Sequence, residues 1–406
     1  MTPHPAPPPT LAELPHWIAR QARGSRDGDL ILDGLARSLC AAGLPLCLVG
    51  FGTAALSAVH RGVTLSWWRD AGVDMEFTAH GASDNTPISA VLAEGRTSAR
   101  WRLERGEGCD AVPRLAARRA QGCTDYLLDI LPFPPGTALR GVGLFYATDR
   151  PGGFSEAEIA VLEAQRDIFS LAVLRYALSH ALEDLLRAYV GPRTAARVLN
   201  GGVRRGQGEL MPAAILLADL KGFTAATDRE DPRRLVGWLD EHLDALGLGI
   251  APNGGEILKF TGDGFIAVFP VEDRDASPCR VCAQALAAAR AGLDGNRQLE
   301  ARRRAAGEPA LAADLALHYG EVVYGNIGTA SRLDFTAIGR AVNEASRIET
   351  LCDATGRNLL MSDSFARRCF EGVGAREPRA DGLIDLGAFP LRGVAAEQRI
   401  WTVAEG

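Results

Sequence analysis

Two aspartates in the C-terminal half of the sequence are placed where a divalent cation could bind. Asp219 ends the apolar run AAILLADL at 213–220, which predicts a buried strand, and Lys-Gly-Phe-Thr and a helical stretch follow it. Asp263 lies in Thr-Gly-Asp-Gly between two strand-like runs, a pattern that predicts a β-hairpin. Two converging strand-end carboxylates could hold two metal ions for phosphoryl chemistry, and amides of the strand–helix turn could meet phosphate oxygens.

Each segment alone is weak evidence, because an aspartate in a glycine turn is commonly only a turn residue. The order of several segments along the chain is more specific. They are DLKGFT, GGEILKFTGDGFIAVF, HYGEVVYGNIG and LDFTAIGRAVNEASRIE, the last with the spacing Gly-x-x-Val-Asn-x-x-x-Arg. With these motifs, about 213–403 of the chain resembles the class III nucleotidyl cyclases, the adenylate and guanylate cyclase family.

The resemblance implies a ferredoxin-like βαββαβ catalytic domain, which we expect over residues 211–406 of an α+β chain. It also implies a homodimer in which cyclase domains associate head to tail, with each active site at the subunit boundary. The expected partners are therefore an ATP substrate and a second copy of the chain. The expected cofactors are two divalent cations, Mg²⁺ or Mn²⁺.

The same resemblance assigns the metal and phosphate contacts by position. Asp219 and Asp263 match the two metal-binding aspartates, and Leu220 would lend its backbone carbonyl. The backbone amides that would meet the terminal phosphates are those of Gly222, Phe223 and Thr224.

Two positions match the residues that contact the purine. Lys259 is the first. Thr336 is the second, because it lies three residues before Gly339, as the family motif requires, whereas Asp334 lies two places too early to match that position. Thr at this position is typical of a bacterial-type subgroup of adenylate cyclases. Lysine and threonine can donate to a purine acceptor, and threonine can accept from the amine of adenine, whereas guanine favours a carboxylate acceptor. The sequence therefore predicts an adenylate cyclase, with a guanylate cyclase or a catalytically dead nucleotide-binding regulator as alternatives.

Three more positions match residues that act on the ribose and the phosphates. Asn343 would orient the ribose, and Arg347 would stabilise the pentavalent transition state. Arg392 would bind the triphosphate at a position where the family usually has lysine. A guanidinium is at least as suitable as an ammonium group for binding phosphate.

A long helix should lead into this domain. Ser155 and Glu158 predict a capping box, and the apolar pattern continues to about Tyr189 within a segment that we bound at 154–190. Apolar residues recur there at alternating three- and four-residue steps: Leu171, Leu174, Leu178, Leu182, Leu185 and Tyr189. We interpret this seam as a dimeric signalling helix rather than a helix packed only on its own domain. A connector over 191–210 follows.

The N-terminal part is less distinctive. Residues 1–10 are Pro-rich and predicted to be disordered. Residues 11–153 mix helical and strand-like runs that predict an α/β or α+β domain, in a layout that resembles a GAF-type α/β sensor domain. The uncharged stretch 39–59 contains Gly43, Pro45, Gly50 and Gly52, which favour a helix end, a turn and a strand over a membrane span. Trp67 and Trp68 are expected to serve packing.

Composition excludes several classes of protein. A net charge of -6 with interspersed charges gives no basic face for nucleic acid or an anionic membrane. Eight scattered cysteines and the absence of a secretory signal at the start of the sequence favour reduced thiols in the cytoplasm. Cys279 and Cys282 lie in a helical run without a second such pair, so we expect helix packing rather than a metal site, and we also expect a structural role for His318.

Overall fold

The computed structural model describes residues 8–25, 27–55, 57, 60–82, 85–133, 139, 141–228, 230–271, 277–370, 382–394 and 396–404. The chain divides into two compact units, Met1–Ala188 and Tyr189–Gly406. Residues 1–7 of the predicted Pro-rich tail lie outside the described residues. Over the part of the chain that is described, no helix combines the length and the apolar character that a membrane span requires.

The first unit is built on a six-stranded sheet. Its elements are α1 (Leu14–Gly24), α2 (Gly28–Ala41), β1 (Leu46–Ala54), β2 (His60–Trp68), β3 (Gly72–Ala79), α3 (Pro87–Ala93), β4 (Ser98–Trp101), α4 (Pro113–Ala120), β5 (Asp125–Pro132), β6 (Gly141–Thr148) and α5 (Glu156–Val190). The strand order is β3-β2-β1-β6-β5-β4, and each neighbouring pair is antiparallel.

Strand β1 is apolar along its length because both faces of the sheet are covered. Phe51 packs in a cluster with residues of α1, α2 and α5, whereas Leu48 joins a second cluster with Val91 of α3 and Leu115 of α4. The predicted helix end, turn and strand are confirmed in the described part of 39–59, where α2 ends at Ala41 and β1 begins at Leu46.

Of the two forms predicted for this unit, α/β is wrong and α+β is confirmed, because all of its described ladders are antiparallel. Helix α1 and strand β3 were not predicted. Strand β3 has mostly exposed side chains at the sheet edge, so it lacks the apolar alternation that marks a strand. The GAF-type resemblance stays a prediction.

Packing explains both tryptophans. Trp67 is buried, and its Nε1 donates a hydrogen bond to Asp33 Oδ1 at 2.9 Å. The ring of Trp68 lies under the Arg118 guanidinium, whose carbon is 4.8 Å from the ring centroid.

Helix α5 confirms the predicted long helix and its capping box. The Ser155 amide donates to Glu158 Oε2 at 2.8 Å, and the Glu158 amide donates to Ser155 Oγ at 3.4 Å. One face of the helix, including Phe169, Val173 and Tyr176, is buried. Most of the predicted seam is exposed in the single chain: Leu171 by 61%, Leu178 by 48%, Leu182 by 53%, Leu185 by 37% and Tyr189 by 83%.

The second unit contains α6 (Pro192–Leu199), β7 (Gly208–Leu220), α7 (Phe223–Thr227), α8 (Pro232–Gly247), β8 (Glu256–Thr261), β9 (Gly264–Pro270), α9 (Pro278–Ala305), β10 (Ala313–Gly328), β11 (Leu333–Ile338), α10 (Arg340–Glu349), α11 (Leu351–Thr355), β12 (Leu359–Ser362), α12 (Asp363–Phe370), β13 (Leu383–Phe389) and β14 (Gln398–Val403). The sheet order is β13-β14-β12-β10-β7-β9-β8, and β11 pairs with β10.

The elements from β7 to β10 follow the predicted βαββαβ order, with α9 preceding β10. The central part of strand β7 is buried on both faces. Ala214, Leu216 and Ala218 pack in one cluster on one face, and Ile215 packs in another cluster on the opposite face. Residues 191–210, predicted as a connector, include helix α6 and the start of β7. Cys279 and Cys282 lie on α9 as expected, and Cys279 Sγ donates a hydrogen bond to the Cys369 carbonyl oxygen at 3.3 Å.

Candidate active site

The end of strand β7 brings the two predicted metal aspartates to one place. Strand β9 pairs with β7 so that Phe265 lies opposite Ala218, one residue before Asp219. A Cβ atom on Gly264 would lie 2.0 Å from the Ala218 carbonyl oxygen and 2.8 Å from Asp219 Oδ1. Glycine at 264 therefore allows the hairpin that carries Asp263 to approach the Asp219 carboxylate.

The electrostatics of Asp219 fit a cation. Burial, the charge of Asp263 and the charge of Asp314 raise the pKa of Asp219 to about 6. A divalent cation would relieve this repulsion, and carboxylate and carbonyl oxygens are the ligands that Mg²⁺ and Mn²⁺ prefer. Within the described residues, no three or more His, Cys, Asp or Glu side chains are grouped to hold a metal. The Leu220 carbonyl, water and nucleotide phosphates would have to supply the remaining ligands.

Sequence reasoning missed an acidic shell around this point. Asp314 on β10 lies directly opposite Asp219 in the sheet, and Lys221 Nζ lies 2.9 Å from Asp314 and 3.0 Å from Asp353. Burial and the charges of Asp219, Asp314 and Asp353 raise the pKa of Glu349 to about 7. The signal in the sequence was a lone aspartate within the apolar run ADLAL at 313–317.

The turn after Asp219 has the predicted strand–turn–helix form. Gly222 has a φ of 76°, a conformation that glycine adopts without strain, and Phe223 begins α7 directly after it. The amides of Gly222, Phe223 and Thr224 therefore belong to the first turn of a short helix, next to the candidate metal position.

The two predicted purine contacts lie on neighbouring parts of the sheet. Lys259 is on β8, and its Nζ lies 3.3 Å from Asp334 Oδ2 on β11. Thr336 follows two residues later on β11, opposite Gly325 of β10, so its side chain shares a strand face with Asp334. The structure thus brings the Asp334 carboxylate close to Lys259, although the spacing to Gly339 had excluded Asp334 as the second purine contact.

The predicted ribose and phosphate residues lie on and beside α10. Asn343 is exposed one helical turn before the half-buried Arg347. A Cβ atom on Gly393 would lie 3.4 Å from an Arg347 guanidinium nitrogen, so Arg347 lies beside the turn that carries the exposed Arg392. In the described part of the chain, we find no hydrogen bond or ion pair from the side chains of Arg347 or Arg392 to another side chain.

Two groups of predicted site residues are not joined within one chain. Across the described ranges, no side-chain hydrogen bond or ion pair links Asp219 or Asp263 to Lys259, Asn343, Arg347 or Arg392.

The buried His318 fits the structural role expected from the sequence. Its Nδ1 lies 2.9 Å from Ser362 Oγ, and its Nε2 lies 3.3 Å from Glu344 Oε2. Burial lowers the pKa of His318, the direction expected for a neutral imidazole in the core.

Comparison with known proteins finds a family match within the second unit. Residues 208–368 match the family described as the adenylate and guanylate cyclase catalytic domain. The second unit carries a class III nucleotidyl cyclase domain. The cyclase domain is similar to an adenylate cyclase of Anabaena cylindrica, 34% identical over 154 residues, which are 38% of this chain and 30% of that protein.

Adenylate cyclase 1 of Rhizobium meliloti (strain 1021) is 31% identical to the cyclase domain over 164 residues, 39% of this chain and 23% of that protein. The matches thus span less than a third of these relatives. A solved structure of the adenylyl cyclase CyaB from P. aeruginosa aligns with 49% of this chain and 97% of its own, at 23% identity and a TM-score of 0.43.

Proposed function

We propose that this protein is an adenylate cyclase that converts ATP to 3′,5′-cyclic AMP and pyrophosphate. The observation that carries the proposal is the pairing of Asp219 with the Asp263 hairpin at the end of β7, inside the cyclase domain. When bound there, divalent cations would activate the ribose 3′-oxygen and neutralise the triphosphate. A catalytically dead regulator is disfavoured, because every metal and transition-state residue of the family pattern is present.

The side chains of this chain have separate tasks in the proposed reaction. Asn343 holds the ribose, so that its 3′-oxygen faces the α-phosphorus. Arg347 places positive charge where the transition state gains negative charge, a contribution that is usually the largest in such catalysis. Arg392 and the amides of the turn at 222–224 hold the phosphates that leave as pyrophosphate.

Base selectivity follows from β8 and β11. Lys259 and Thr336 supply the donors and the weak acceptor that adenine matches, which supports ATP as substrate. The carboxylate of Asp334, 3.3 Å from Lys259, is the one observation that favours GTP, because guanine offers two donors to such a group. A guanylate cyclase is therefore the second candidate.

The proposed active form is a homodimer with composite sites. The exposed seam of α5 supports this proposal, since apolar side chains such as Leu178 and Leu182 would be buried against the same helix of a second copy. A parallel helix pair would keep two cyclase domains at a millimolar effective concentration. We propose that the N-terminal unit acts through this helix as a sensor.

The test measures cyclic AMP and cyclic GMP formation by the full chain, with ATP or GTP and with Mg²⁺ or Mn²⁺. We expect cyclic AMP from ATP, no product from Asp219→Ala or Asp263→Ala, and full activity from Asp240→Ala, which removes an exposed carboxylate of α8. Circular dichroism checks that the variants fold. Substantial cyclic AMP formation by either metal-site variant at any concentration of either ion would contradict the proposal.

A further inference from the structure

A cavity of about 500 Å³ opens in the first unit, against the face of the sheet that packs with α3 and α4. Protein interiors are close-packed and leave few voids larger than a water molecule. A space of this size falls within the range of small-molecule binding sites instead. Four glycines, Gly52, Gly62, Gly141 and Gly143, lie on its strand floor, where side chains would otherwise occupy part of the space.

Most of the cavity wall is apolar. Tyr126 and Phe145 form a stacked pair with ring centroids 5.9 Å apart and an interplanar angle of 11°, and both rings line the space. Ile88 of α3 and Ile130 of β5 add to this surface. Such a wall suits the hydrocarbon or aromatic body of a ligand.

The charges that line the cavity have one sign. Among its described lining residues, Arg61, Arg114 and Arg118 are cationic and none is acidic. Arg114 is paired, since its Nη2 lies 2.6 Å from Glu76 Oε1. Its charge is therefore largely balanced within the protein.

The contacts of Arg118 on α4 differ from those of Arg114. Its Nη1 donates to Gln121 Oε1 at 3.0 Å, but its Nε is shielded from solvent and has no hydrogen-bond partner among the described residues. Leaving a buried donor of a charged group unsatisfied is costly, so such groups usually have a partner in the working state of a protein. The Arg118 guanidinium also lies over the Trp68 ring, 4.8 Å from its centroid, and burial lowers the pKa of Arg118.

We propose that this cavity binds a small amphipathic carboxylate, with its carboxylate on Arg118 and its apolar body against Tyr126 and Phe145. A carboxylate can accept from Nε and a terminal nitrogen of a guanidinium at the same time, which satisfies the orphaned donor. Arg114 is already balanced by Glu76, whereas Arg61, whose Nη2 donates to the Ala82 carbonyl oxygen at 3.0 Å, is a further cation on the wall and would add to the attraction for an anion.

The test is calorimetric titration of the full chain with 3-phenylpropionate and with octanoate, alongside the neutral 3-phenylpropan-1-ol. We expect saturable binding of at least one carboxylate at about 1 mM or below, and at least about 10-fold weaker binding of the alcohol. Arg118→Gln should lower carboxylate affinity by at least about 10-fold. Arg119→Gln, which removes the same charge from an exposed neighbour on α4, should bind as the parent chain does.

Binding is measured without nucleotide, so the outcome is independent of cyclase activity. The alcohol comparison is made on the unsubstituted chain and holds even if Arg118→Gln fails to fold. Equal affinity for acid and alcohol, unchanged binding by a folded Arg118→Gln, or no saturable binding of either carboxylate at about 1 mM would each overturn the proposal.

Discussion

Lys259 and Asp334 form an ion pair across β8 and β11, with Nζ and Oδ2 3.3 Å apart. Both side chains are about half exposed, so the pair is easily exchanged for contacts to a ligand. We interpret Asp334 as the counter-ion that holds Lys259 until a purine arrives. Thr336, on the same strand face, would then be the residue that contacts the base together with Lys259.

The first prediction concerns base selectivity. Lys259→Glu combined with Thr336→Cys should lower kcat/KM for ATP by at least about 10-fold, because the hydrogen-bonding polarity at the purine edge is reversed. Asp334→Asn should keep the preference for ATP over GTP. Steady-state rates with both nucleotides check this, and a change of preference in Asp334→Asn alone would assign the base contact to Asp334 instead.

A second prediction follows from the proposed homodimer with composite sites. Arg347→Ala should lower activity by about 10²- to 10³-fold, and Asp219→Ala should remove it. Mixing the two variants should restore activity, because each heterodimer would contain one intact composite site. The control mixes Asp219→Ala with Asp263→Ala, which share one half-site and should not complement. No recovery despite demonstrated subunit exchange would mean that each site is built within one chain.

The third prediction concerns the seam of α5. Leu178→Glu places a charge among exposed apolar residues and should lower activity at low protein concentration, with partial recovery at high concentration. Ala188→Glu adds the same charge at an exposed position outside the seam and should have little effect. Sedimentation and activity over a range of concentrations check both. An unchanged oligomeric state and activity in Leu178→Glu would show that the helix serves only packing.

The fourth prediction concerns the start of α5 and its pH dependence. The Arg150 guanidinium, followed by the hydrogen bonds from Ser155, lowers the pKa of Glu158 from 4.5 to about 2. Its stabilising contribution is therefore complete above about pH 4.5 and is lost as the pH falls towards 2. Glu158→Gln should cost about 1 kcal/mol of unfolding free energy near neutral pH, and the difference should shrink in acid.

Calorimetric unfolding at several pH values measures this difference. Glu163→Gln, on an exposed position of the same helix, is the matched control and should show no such pH-dependent loss. A difference for Glu158→Gln that stays constant down to about pH 2 would contradict the assigned role.

The sequence alone determined the local features of this protein. The strand that carries Asp219 near its end, the glycine-flanked hairpin of Asp263 and the capped helix α5 were predictable, because turn chemistry, apolar periodicity and capping act over a few residues. Motif order was enough to indicate the cyclase domain. The exposed β3 lacks apolar alternation and was missed, as were helix α1 and the helix within the connector.

Only the tertiary structure decided which distant residues meet. It placed Asp314 and Glu349 beside Asp219, Asp334 against Lys259, and left the seam of α5 exposed in the single chain. It also showed an antiparallel first sheet with a cavity lined by Arg118. These relationships depend on strand pairing between segments far apart in the chain, and sheet register and packing fix them rather than local propensity.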